Sequence, residues 1–175
     1  MRASETFTVE KMARSAVLAS LALIISYIEL LIPLNLGLPG IKPGLANLLI
    51  VVCIYKLGPG YAAMVNFTRV LLSALLFGSV YSAVYAVAGA ALSLAFMLLL
   101  KRTKLFSPVG VSMAGGVVHN LAQISIAAMI MQTKELFYYF PALLIAGMIT
   151  GIINGIKSTI ITTITRVTAY EYNVY

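Results

Sequence analysis

The chain has 175 residues, of which 61% are hydrophobic, with 12 Lys and Arg against 5 acidic residues and a formal charge of +7. Apolar runs fill nearly all of it, and mean hydropathy is +1.01, so one helical membrane domain fits and an attached soluble domain does not. In a soluble protein the basic surplus would point to nucleic acid; here it reads as loop charge that sets topology, and no nucleic-acid partner is expected.

The domain is read as one unit, 1–175: a cytoplasmic N-terminal segment 1–14, a bundle of about six transmembrane helices over 15–164, and a tail 165–175. The first apolar run, 15-SAVLASLALIISYIELLIPL-34, follows Arg2, Lys11 and Arg14. Its length and its internal small residues predict an uncleaved first helix and not a signal peptide. Ser15/Ala19 and Ala16/Ser20 form small-residue pairs at four-residue spacing near its cytoplasmic end, candidates for docking a partner. Next comes 33-PLNLGLPGIKPG-44, whose three prolines and three glycines suit a lid over an outer pocket. The second run, 45-LANLLIVVCIY-55, is too short to cross a core of ~30 Å upright at ~1.5 Å per residue. It must borrow its polar flanks or lie partly embedded. Its Cys53, the sole cysteine, reads as a buried and inert thiol.

Further spans are expected over roughly 60–78, 80–100, 109–132 and 137–164, separated by LGPG, GSVY, KRTKLFSP and QTKEL. With the N-terminus inside, Lys56, Lys101, Arg102, Lys104 and Arg166 also fall on the inner side, and only Lys42 and Lys134 fall outside. Retention of Lys and Arg on the cytoplasmic side then predicts a multi-pass protein of the bacterial cytoplasmic membrane with both termini inside.

Arg69 interrupts the third run. An arginine at the bilayer centre costs about 2.5–3.5 kcal/mol on insertion scales, so such a residue faces a bundle interior or a wet cavity. Asn66, Arg69 and Ser73 share one helical face, and on the fifth span Ser112, His119 and Gln123 share another, with Asn120 beside them. Counting along the helices puts Arg69 and His119 near the midplane and Glu29 in the outer third, near Lys42 and Asn47. The candidate substrate site is therefore Glu29, Lys42, Asn47, Asn66, Arg69, His119, Asn120 and Gln123. Gly147, Gly151 and Gly155 recur every four residues and predict a close helix crossing, a pattern repeated at Ser82/Ala86/Ala90.

Several chemistries are excluded. The chain has no Asp, and Glu5, Glu10, Glu29, Glu135 and Glu171 form no cluster for binding diphosphate through Mg²⁺. One His and one Cys complete no zinc or haem site, so no metal and no cofactor are expected. No G-x-x-x-x-G-K-[ST] loop is present for ATP hydrolysis.

The strings 39-PGIKPGLANLLIVV-52, LGPG, 69-RVLLSALLFGS-79, 110-GVSMAGGVVHNLAQ-123 and FYYFPALLIAGMITGIING together resemble the bacterial Gx transporter family, also labelled heptaprenyl diphosphate synthase component I. That family in turn resembles the substrate-binding S components of energy-coupling-factor transporters. The resemblance implies a six-helix bundle, a pocket capped by the first loop, and no catalysis by this subunit. The implied partners are a transmembrane coupling subunit and two cytoplasmic ATPases, with a small organic, anionic or polar solute as substrate. S components dock through an A-x-x-x-A surface on the first helix, and this chain offers only Ser15/Ala19 and Ala16/Ser20 there. The older label implies an alternative, a noncatalytic membrane helper of prenyl diphosphate synthesis. A third, implied by family members that look like partners of flavin-linked redox systems, is an anchor or electron-transfer subunit.

Overall fold

The computed structural model describes residues 9–31, 46–77 and 80–172. Six α-helices follow in order: α1 (Val9–Leu31), α2 (Ala46–Lys56), α3 (Pro59–Phe77), α4 (Val80–Thr103), α5 (Pro108–Met131) and α6 (Phe140–Tyr172). A 3₁₀ helix, Lys134–Tyr139, precedes α6. Among the described residues there is no strand, and the protein is an all-α, multi-pass membrane bundle. Five helices are long and apolar enough to cross a bilayer, and α2, with 11 residues, is the short apolar one.

The short helix sits at the centre. Ala46 and every residue from Leu49 to Ile54 are buried, which is what an apolar helix without a polar face requires. Around it, Tyr61, Ala62 and Val65 of α3, Leu94 and Met97 of α4 and Val111 of α5 complete the main core, with Leu18 and Ala19 of α1 packed alongside. Cys53 is fully buried within it. Helices α4, α5 and α6 pack in sequence, and α6 returns to α2, which closes the bundle.

Local chemistry sets the turns. The N–H groups of Leu57 and Gly58 both donate to the Cys53 carbonyl, at 2.9 and 3.1 Å, and Gly58 takes φ 104° so that Pro59 starts α3 at once. Ser107 caps α5 by accepting from the Gly110 N–H at 3.2 Å, with Pro108 in the first turn. Lys101 reaches back across the bundle: its ammonium donates to the Ile54 carbonyl at the open end of α2 and lies 4.8 Å from the Tyr55 ring centroid.

Two boundaries differ from the sequence expectation. Helix α1 starts at Val9, six residues ahead of the apolar run, in a polar turn where Arg14 and Glu10 pair at 2.6 Å and both remain exposed. Lys134–Tyr139, from the KEL of the linker into the start of the sixth run, is 3₁₀ helix, and α6 begins at Phe140 with Pro141 in its first turn. Phe137, Tyr138 and Tyr139 there are exposed, the aromatic composition of a membrane interface.

Candidate functional site

A polar path runs through the bundle from α1 to α5. Glu29, 6% exposed, ends the buried face of α1 and supplies the negative charge that acts on Arg69 of α3. The Tyr27 and Phe77 rings, 4.8 Å apart, hold the adjoining ends of α1 and α3 together. The Arg69 guanidinium donates to Asn66 Oδ1 at 3.1 Å, and Asn66 Nδ2 donates to the Ala90 carbonyl of α4 at 3.0 Å. Beside Ala90, Gly89 leaves room for α5: a methyl group at Gly89 would lie 2.8 Å from Gln123 Cγ and 3.0 Å from His119 Cε1. Arg69 and Asn66 thus connect to the backbone of α4 at Ala90, and His119 and Gln123 of α5 pack against Gly89 beside it. Among the described residues, Arg69 Nε is buried and has no hydrogen-bond partner.

Asn120 lies elsewhere. One residue on from His119 and therefore about 100° around α5, it donates to the Leu143 carbonyl of α6 at 2.8 Å. Ser112, expected on the His119 face, is buried against α6, with its Cβ 3.2 Å from the place of a Cβ at Gly155. These two residues belong to the α5–α6 crossing. There the three glycines of α6 meet α5 directly: Gly147 lies against Gly116, Gly151 against Met113 and Gly155 against Val109. A Cβ at Gly151 would stand 2.5 Å from the Met113 Cα.

Asn47 is half-buried near the start of α2, and Lys42 lies outside the described residues. So does the loop expected to act as a lid, and the Ser82 side chain is likewise not described, while Ala90 is buried. On α1 the two small-residue pairs separate. Ser15 is fully buried and bonds the Lys11 carbonyl at 2.8 Å, and Ala19 packs on the core, so this pair cannot meet a partner protein without opening the bundle. Ala16 and Ser20 are exposed on the outer side of α1.

Sequence reasoning passed over four contributors. Gly89 admits α5 side chains, and Ser93 donates to the Gly115 carbonyl at 2.8 Å. Asn154 and Ser158, one turn apart on α6, are 2% and 1% exposed. Their four-residue spacing inside an apolar run was the available signal.

A sequence model of heptaprenyl diphosphate synthase component I matches residues 18–161. The chain belongs to that family. The matched stretch contains every candidate residue of the polar path, and of the docking pairs it omits Ser15 and Ala16. No curated protein and no solved structure matches the chain. Membership of the component I family and the helical bundle agree on a membrane component.

Proposed function

We propose that this chain is the membrane-embedded substrate-binding subunit of an energy-coupling-factor type uptake system for a small anionic or polar organic solute. The observation that carries this reading is Arg69, which spends one arm on Asn66, is set against Glu29, and keeps a buried Nε with no acceptor among the described residues. A buried donor left in that state is costly, and an anionic group would satisfy it.

The α2–α3 hairpin adds a second attraction. Ala46 and Arg69 each lie about eleven residues from the Leu57–Gly58 turn, so the first N–H groups of α2 come level with Arg69 in this antiparallel pair. A helix that begins inside a bundle presents the positive end of its dipole there, as half-helices do toward anionic groups in other transporters. His119 and Gln123 supply hydrogen-bonding groups from α5, and Asn47 lies near the start of α2. The chain has no Asp-rich motif, which supports a noncatalytic subunit.

Calorimetric titration of the purified protein with small carboxylates and phosphates should find a binder whose affinity is lost in Arg69→Met and kept in Asn120→Ala. The family description favours a second reading, a noncatalytic helper of a prenyl diphosphate synthase. Native co-purification separates them. An ATPase pair with a coupling subunit supports uptake, whereas a soluble prenyltransferase together with no solute binding overturns it.

A further inference from the structure

Away from the polar path, α4 and α5 enclose an open groove of about 440 Å³ on the outer surface of the bundle. Leu92, Phe96 and Leu99 wall it on one side and Val118, Ala122 and Ile126 on the other. Its one hydroxyl, on Ser125, already donates to the Leu121 carbonyl at 2.7 Å, so the surface offers nothing to a polar solute. The groove suits a single hydrocarbon chain.

One end is charged. The wall positions Leu92, Ala95, Phe96 and Leu99 advance by three and four residues, and the next place on that stripe is Arg102. Arg102 is exposed and forms no ion pair among the described residues, while its neighbour Lys101 turns the other way, to the Ile54 carbonyl. Lys104, in a left-handed turn at φ 59°, adds a second exposed ammonium to that end.

We propose that the α4–α5 groove seats one acyl chain of an anionic phospholipid, with Arg102 holding the phosphate. Basic residues at the end of an interhelical groove select anionic headgroups, and the bound chain covers apolar surface that a freely exchanging lipid covers only transiently. The site is independent of the solute reading.

The test is the lipid retained by purified protein from bilayers of equal phosphatidylglycerol and phosphatidylcholine, counted by native mass spectrometry. The wild-type chain should keep phosphatidylglycerol about fivefold over phosphatidylcholine, the equivalent of about 1 kcal/mol for one basic residue at a membrane surface. Arg102→Gln should bring the ratio near one, and Lys134→Gln, at the opposite end of α5, should leave it unchanged. Ala95→Trp fills the groove from an exposed position and should remove the retained lipid of both kinds while the protein stays monodisperse. Equal retention of the two lipids by the wild type, or an unchanged preference in Arg102→Gln, overturns the proposal. So does a dimer that Ala95→Trp dissociates, since the groove would then belong to a second copy.

Discussion

Helix α5 meets its two neighbours with the same residue types, glycine and amide, and with opposite results. Toward α6, glycines face backbone, and the Asn120 amide reaches a carbonyl directly, so the two helices lock together. Toward α4, Gly89 faces the flexible Gln123 side chain and the His119 ring, and beyond α4 the polar groups run on to an arginine with a donor to spare. Close approach consumes hydrogen-bonding capacity. Where side chains fill the gap instead, the polar groups lead on to the donor left over on Arg69.

The difference between the two seams can be broken most severely at Gly151. Leu there drives a side chain into the Met113 backbone, and since overpacking a tight contact costs about 1–3 kcal/mol or more, Gly151→Leu should abolish the folded bundle. A monodisperse Gly151→Leu protein with the parent's thermal midpoint would show that α6 does not lie where it is described.

On the polar side, Arg69→Met removes the positive charge that acts on buried Glu29 and should destabilise by about 3–5 kcal/mol. Adding Glu29→Gln should restore most of the stability but none of the solute binding. Denaturation in detergent micelles combined with the titration separates the two effects, and a double variant as unstable as Arg69→Met would remove Glu29 from the pair.

Smaller substitutions sharpen the contrast. Asn120→Ala and Asn66→Ala each delete one interhelical hydrogen bond and should each cost about 0.6–1.5 kcal/mol. Only Asn66→Ala should also weaken the solute, since it frees Arg69 to reorient. Equal effects of the two on binding would dissolve the distinction between the seams. The mildest change is Gly89→Ala, whose methyl meets side-chain atoms able to move, against a gain of helix propensity of about 1 kcal/mol. Its thermal midpoint should shift by only a few degrees, whereas Gly116→Ala, which meets the Gly147 carbonyl, should lose much more.

The sequence reveals what depends on composition and period. Six apolar runs, the shortness of the second and the glycine stripe of the sixth are all visible there, because each follows from residue type at fixed spacing. The site is legible only in part. Arg69 announces itself by its cost in an apolar run, but periodicity cannot say which neighbour a face meets, so His119 and Asn120, adjacent in sequence, read as one feature and point to different helices. The same limit hides Gly89, whose meaning lies in the side chains opposite it. Ser15 and Ala16 fail to separate for that reason too: their spacing to Ala19 and Ser20 is identical, and only the packing of α1 on α2 and α3 distinguishes the inner pair from the outer.

The brevity of α2 has a consequence for how the chain enters the bilayer. Eleven residues make about 16 Å of helix, roughly half of the hydrocarbon thickness, and α3 behind it carries Arg69. Neither segment is an easy solitary passenger for the insertion machinery: one is too short, and the other bears a charge costing about 2.5–3.5 kcal/mol at the centre. Joined by the tight Leu57–Gly58 turn, they can partition as one hairpin, in which α2 covers apolar surface of α3. Biogenesis should therefore pause until Phe77 has left the ribosome. A topology reporter fused after Lys56 should be found on both sides of the membrane, and the same reporter fused after Phe77 should settle on one.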